Sequence, residues 1–307
     1  MGHAAGDADR GADEREGLMS RIVGFTLAAA AIAAAAPPAS AQAWRTVTSA
    51  RQTHGERELT VDVQYGVGRF SLAPGPAGTL YRMEMRYDEE RFAPVRAYDP
   101  ASGVLRLGVR GRHGRGARIT LGDRRRSEPP PTFDLVLSPD IPLSLRLELG
   151  AVESDVELGG LALRSLTYRT GASESSVRFS QPNPVACGEL AMEAGAAQLH
   201  ITGIANANCR LVRFQGGVGE VTLDFSGEWR QSMDADVDLS IGSLNLRLPR
   251  DVGVVIRLNR FLASFESAGF VKRGRTYYSS NYESARHRLT LDINATIGGV
   301  DVAWLNR

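Results

Sequence analysis

The stretch Leu145-Arg146-Leu147-Glu148-Leu149-Gly150-Ala151 returns as Leu166-Thr167-Tyr168-Arg169-Thr170-Gly171-Ala172, and again as Leu190-Ala191-Met192-Glu193-Ala194-Gly195-Ala196. In each copy the residues that face inward fall at every second position, which is the period of a half-buried strand. A glycine and a small residue follow. A second period-two run comes next: Val156 and Leu158, Val177 and Phe179, Leu199 and Ile201. Working outward, the same unit stands at Gly217 (Val212, Phe214 before it) and at Gly242 (Val237, Leu239), with an early copy at Gly66 and a late one at Gly298. From Gly150 the corner glycines recur after 21, 24, 22 and 25 residues. A period of about 20 to 50 residues marks a repeat array in which each unit buries its apolar face by stacking on its neighbours. Glycine at each joint is expected to supply a positive φ for a tight corner.

Strand-Gly-strand units can stack as rungs of a solenoid or pair as hairpins of an antiparallel sandwich. Two features favour stacking. Glu148, Arg169 and Glu193 each stand two residues before a corner glycine, so stacked rungs would set them as an alternating charge ladder. Cys187 and Cys209 each stand eight residues before a corner glycine, the same slot in consecutive rungs. Rungs about 4.8 Å apart would bring the two within the roughly 4.4 to 6.8 Å between Cα atoms that a disulfide tolerates. A structural Cys187–Cys209 bond is therefore expected. The fold reading is all-β: a β-solenoid-like stack of rungs with an N-terminal β insertion. Residues 1–41 read as a dispensable extension and signal peptide, residues 42–144 as an N-terminal rung with a hairpin and an Arg-rich insertion, and residues 145–307 as the β-repeat region. That region is expected to form one continuous stack with the Gly66 rung.

The 33 glycines among 307 residues fit an all-β chain with many tight joints. With 36 basic against 35 acidic residues, the whole protein is not a nucleic-acid binder on electrostatic grounds. Met19-Ser20-Arg21, the apolar run Ile22 to Ala36 and the small-residue end Ser40-Ala41 read as a signal peptide cleaved before Gln42, so export to the periplasm or beyond is expected. The polar segment Met1 to Leu18 is unlike the start of such a peptide, which suggests initiation at Met19. Fifteen apolar residues are few for a bilayer span, and no other stretch is long and apolar enough, so no membrane helix is expected in the mature chain.

Before the main repeats, Leu80 to Tyr87 and Val104 to Val109 read as strands of a hairpin-like insertion after a mobile start. Ile119 to Leu121 and Phe133 to Leu137 read as further strands. From the Val104 to Val109 strand to Pro129-Pro130-Pro131 runs an arginine-rich stretch: Arg106, Arg110, Arg112, Arg115, Arg118, Arg124, Arg125 and Arg126. These are candidate anion-binding residues for a lipid headgroup, cell-wall polymer or nucleic acid. No aromatic residue interleaves them to stack bases, and a solvated loop is the simpler reading. Beyond Pro249, Val254 to Phe265 reads as a rung lacking its glycine. Trp304, in the last rung, is expected to cover the open end of the core.

Order and spacing over the segment from Leu145 onward resemble the toast-rack family, the β-repeat domain that also forms the C-terminal region of LiaF-like cell-envelope stress proteins and of adhesin-like proteins. The resemblance rests on the Gly-Ala and Gly-Ser corners, on Leu246-Arg247-Leu248-Pro249-Arg250-Asp251-Val252-Gly253-Val254, and on the tyrosine loop Tyr277 to Tyr282 leading into Leu289-Thr290-Leu291-Asp292-Ile293. LiaF-like proteins carry several membrane helices before this domain, whereas a signal peptide precedes it here. The resemblance implies no catalytic residues.

The sequence offers little chemistry. Cys187 and Cys209 cannot supply two zinc-type pairs, no G-x-S-x-G elbow is present, and the glycine pairs at Gly66 and Gly217 lead into strands rather than helices. Asp234, Asp236 and Asp238 alternate onto the outer face of a strand, a solvated position rather than a calcium site. A polysaccharide-acting solenoid enzyme would need carboxylates converging on one stacked face. Counting from each glycine, one outward column reads Asp62, Arg146, Thr167, Ala191, Arg213, Asp238, Asn294, and the other Gln64, Glu148, Arg169, Glu193, Gln215, Ser240, Thr296. Neither is a carboxylate row. The expectation is an exported, non-catalytic envelope protein with a structural, adhesive or stress-sensing role and no cofactor. An unidentified envelope protein or polymer would be its partner, and a homo-oligomer is compatible with the pattern. The alternative is a binder of anionic polymer or lipid through the arginine stretch.

Overall fold

Each period-two run of the repeat passes through its corner as one long, uninterrupted strand. The computed structural model describes residues 43–112, 129–265 and 268–305. The signal-peptide segment, the Ile119–Leu121 strand and Arg115, Arg118, Arg124, Arg125 and Arg126 lie outside the described residues. The strands are β1 (Trp44–Gln52), β2 (Leu59–Pro74), β3 (Thr79–Asp88), β4 (Phe92–Asp99), β5 (Val104–Gly111), β6 (Thr132–Leu137), β7 (Leu143–Glu157), β8 (Leu163–Arg178), β9 (Cys187–Thr202), β10 (Cys209–Asp224), β11 (Met233–Pro249), β12 (Gly253–Phe265), β13 (Phe270–Arg273), β14 (Thr276–Ser279) and β15 (Arg288–Leu305). Together they form one 15-stranded sheet.

The middle of that sheet is the stack. β2, β7, β8, β9, β10, β11, β15 and β12 follow one another, every pair parallel. In β7, Leu143, Leu145, Leu147 and Leu149 are buried, and then Val152, Ser154 and Val156. The buried phase changes across Gly150 and Ala151, which both face outward. Two consecutive outward residues mark a convex corner, because side chains otherwise alternate sides. Each rung is thus bent, with two wings facing a common core. β2 shows the same division through its partners: Thr60–Gln64 pairs with β5, and Arg69–Pro74 with β6.

The corner glycines are there for close approach rather than for φ. A Cβ on Gly150 would overlap the carbonyl oxygen of Gly66, and one on Gly195 or Gly217 would stand 2.7 or 2.6 Å from the carbonyl of the glycine before it. None of Gly66, Gly150, Gly171, Gly195 and Gly217 has positive φ. The other two corner glycines belong to a different column. Gly242 is opposite Gly219, not Gly217, and Gly298 is opposite Gly242. This column does have positive φ, 146° at Gly219 and 137° at Gly242. The alignment by glycine was therefore two residues out from β11 onward. A slip of two leaves every side chain on its own face, so alternation cannot reveal it.

The insertion also differs from its sequence reading. β3 pairs antiparallel with β1 and β6, not with β5, and the hairpin is β4–β5. Trp44–Gln52, within the segment expected to be mobile before Val61, forms strand β1. At the other end the last strand of the chain, β15, is not the last rung: it slots between β11 and β12. Trp304 accordingly sits on an inner rung, its ring 5.1 Å from Phe270 and its Nε1 donating to the Ala268 carbonyl at 3.2 Å.

The core runs between the wings from Phe70 and Phe133 to Leu291 and Val254. A cluster of buried hydroxyls lies within it. Tyr168 Oη lies 2.9 Å from Ser154 Oγ and 2.8 Å from Ser175 Oγ, all three buried. Burial pushes the Tyr168 phenol up, against a smaller opposite pull from the two serines. In the return loops buried Asn183 donates to the carbonyls of Leu163 and Ala207, at 2.7 and 2.9 Å, and accepts from Leu163 N at 3.1 Å. One amide side chain thereby ties three successive turns of chain, in a place where irregular backbone would leave polar groups unpaired.

Candidate functional site

The core between the wings is packed and largely apolar, and the outward columns carry the polar side chains of the stack. Before the corner, one column reads Gln64, Glu148, Arg169, Glu193, Gln215, Asp238, Asn294, Asn259. Its members join along the stack. Arg169 makes a two-pronged contact with Glu193, both hydrogen bonds 3.0 Å, and lies 4.0 Å from Glu148. Gln64 donates to Glu148 at 3.3 Å, and Asn294 to Asp238 at 2.6 Å. The Glu193 hydrogen bond, with the charge of that carboxylate, raises the Arg169 guanidinium further above its ordinary value. The alternating ladder expected from Glu148, Arg169 and Glu193 is therefore present.

The second column is where the register matters. It reads Asp62, Arg146, Thr167, Ala191, Arg213, Asp236, Asp292, Arg257. Asp236 and Asp292 stand on adjacent rungs, a pair of stacked carboxylates that the glycine alignment had hidden. Each is met by an arginine on its far side: Arg213 at 3.7 Å from Asp236, and Arg257 at 3.0 Å from Asp292. Arg213 also contacts Glu189. These solvent-exposed ion pairs link consecutive rungs. An acid and a base poised for glycoside cleavage need carboxylates free to exchange protons. Among the described residues no three His, Cys, Asp or Glu gather closely enough to hold a metal.

Beside the first column the glycines leave a shallow open trough of about 1010 Å³, walled by Gln64, Glu148, Arg169, Glu193, Gln215 and Asp238 and floored by Gly66, Gly150, Gly171, Gly195 and Gly217. It crosses six rungs, so it is on the order of 24 Å long at about 4.8 Å per rung. An extended polymer could lie along it. On the other side of the corner the outward row carries Ala172, Ala196, Val218, Ile241, Ile297 and Leu262. Its later members are exposed aliphatics, Val218 at 53% and Ile241 at 45%. Reading from the glycines missed this row, because Ile241 precedes its glycine whereas Ala151, Ala172, Ala196 and Val218 follow theirs.

Cys187 and Cys209 face each other on β9 and β10 and are joined as a disulfide, with Cα atoms 4.2 Å apart. The arginine stretch is divided. Arg106 lies 4.0 Å from Asp62, Arg112 lies 4.0 Å from Glu89 and donates to the Phe92 carbonyl, and Arg110 is exposed on β5. Among the described residues no helix is long and apolar enough to cross a membrane.

The profile of a family described as the N-terminal domain of toast_rack, DUF2154, matches residues 40–202, more than half of the chain. No curated protein is detectably similar. Among solved structures, a candidate cell adhesion protein from Clostridium sporogenes is similar at 17% identity with a TM-score of 0.46, over 86% of this chain and 100% of that one. A candidate adhesin from Bacteroides fragilis aligns at 11% identity with a TM-score of 0.31, over 84% of this chain and 97% of its own.

Proposed function

Since the chain belongs to the toast-rack family, we propose that it is an exported, non-catalytic protein of the cell envelope whose bent rungs present a rigid surface for adhesion or structural attachment. The observation that carries this reading is the ladder on the outer face. Its charged side chains are spent on one another across consecutive rungs, as Arg169 is on Glu148 and Glu193, which fixes a surface rather than arming a reaction. The Cys187–Cys209 bond supports export, because such a bond forms and persists in oxidising compartments. The trough walled by Gln64, Glu148, Arg169, Glu193, Gln215 and Asp238 is the surface offered to an extended envelope polymer or protein segment.

The test is fractionation of cells with in situ crosslinking, followed by pull-down on cell-wall and lipid fractions over a range of salt. The expected result is an envelope fraction, and capture that is lost when Arg169 and Gln215 are replaced by alanine. Capture that collapses with salt and depends on Arg110 would move the function to the arginine stretch. Polysaccharide cleavage by the purified protein would overturn the non-catalytic reading.

A further inference from the structure

The free edges of the sheet are not alike. At the N-terminal end the two wings are closed separately, by β4 through β5 on the first and by β1 through β3 and β6 on the second. β4 carries Pro94 and Arg96, and β1 carries Arg45 and Arg51. Proline and charge are what keep a free edge from adding another strand. At the C-terminal end β12 alone spans the corner. β14 pairs with it only over Val255–Arg257. Among the described residues, Leu258–Phe265 therefore has β15 on one side and no strand on the other. This bent edge presents Phe261 at 78% and Leu262 at 64% exposure, the two most exposed of the large apolar side chains described. Leu262 continues the aliphatic row, standing opposite Ile297, which stands opposite Ile241.

We propose that Leu258–Phe265 is a docking edge for the same segment of a second copy of this chain, paired antiparallel about the Phe261–Leu262 corner. A partner along the whole edge must itself be bent. β1 and β4 each cover a single wing and cannot follow it. The same segment of another copy bends at the same place, and a twofold axis through the corner lays bend on bend with both cores on the same side. In that register Leu258 meets Phe265, Asn259 meets Ser264, Arg260 meets Ala263 and Phe261 meets Leu262. Apolar faces apolar, amide faces hydroxyl, and the one charge of the segment faces an alanine rather than its own copy. Arg260 moderates the contact. It occupies an inward column, opposite Ala295, where a charge opposes edge pairing, and its Nη1 donates to the Ala263 carbonyl at 3.1 Å. The dimer is therefore reversible rather than obligate.

Light scattering and sedimentation over a concentration series of the purified, non-reduced protein should show a monomer–dimer equilibrium. The double substitution Phe261→Arg with Leu262→Arg sets like charges across the twofold and should give a monomer with an unchanged circular dichroism spectrum. Phe261→Glu with Leu262→Glu should do the same, and an equimolar mixture of the two variants should dimerise, because opposite charges then face each other. Arg260→Ala should move the midpoint to about tenfold lower protein concentration. A wild-type protein that stays monomeric throughout, a dimer that survives the double arginine substitution, or a mixture that does not associate would overturn the proposal.

Discussion

The interior rungs, β7 to β11, and the terminal rungs β2 and β12 share one shape but obey different rules. From β7 to β10 the residue at the corner is dictated by the backbone of the rung before it, as at Gly150, where a Cβ would overlap the Gly66 carbonyl; β11 and β15 carry Ser240 and Thr296 there and place the close approach two residues on, at Gly242 and Gly298. At the ends that constraint lapses. A Cβ on Gly66 would meet nothing within 4 Å, and β12 replaces the corner glycine by Phe261 and Leu262, both exposed. The contrast teaches that the glycine column is a property of stacking rather than of turning. It is required only where a neighbouring rung stands against the glycine's Cβ side.

The sharpest way to break that comparison is to add one methyl group on each side of it. Gly150→Ala should cost at least about 3 kcal/mol, since the overlap is with backbone that can move only by separating rungs. Gly66→Ala should stay within about 0.5 kcal/mol of the parent. Urea denaturation of the two variants measures both, and equal losses would show that the glycines serve the bend itself.

A smaller effect is expected at the covalent clip, which belongs to the interior alone. Replacing Cys187 and Cys209 together by alanine should remove about 3 kcal/mol in the chain-entropy account of a 22-residue loop. Mass spectrometry of the alkylated, non-reduced protein should show neither thiol modified.

The buried hydroxyl group comes next. Tyr168→Phe should cost about 1 kcal/mol, because Ser154 and Ser175 keep only each other as partners. The parent should also lose stability in alkali. The folded phenol is raised above its unfolded value, so its contribution is complete below about pH 10 and is lost as pH climbs beyond it. Thermal melts between neutral pH and about pH 11 would show a decline that Tyr168→Phe makes shallower.

The least effect belongs to the surface ladder, where interior and terminal rungs should agree. Arg169→Gln and Arg257→Gln should each change stability by about 0.5 kcal/mol or less, and less again in high salt, because both ion pairs are open to solvent. A larger loss at Arg169 than at Arg257 would mean that the two-sided ladder position of Arg169 acts cooperatively.

Much of this molecule was legible in its sequence because the relevant signals are local. Period-two runs gave the strands, the shared slot of Cys187 and Cys209 gave the bond between β9 and β10, and Glu148, Arg169 and Glu193 gave the direction of stacking. Burial, however, is blind to any slip of two residues. Val237 buries its side chain equally well beside Val212 or Phe214, and only backbone contact at Gly219 and Gly242 selects Phe214. That choice brought Asp236 beside Asp292 and lined up Val218, Ile241 and Ile297, two features of the surface that no count from the glycines contains. Chain order was equally silent about the end of the stack. β15 enters between β11 and β12, and which strand is left at the edge is decided by packing over the whole core, not by position in the sequence.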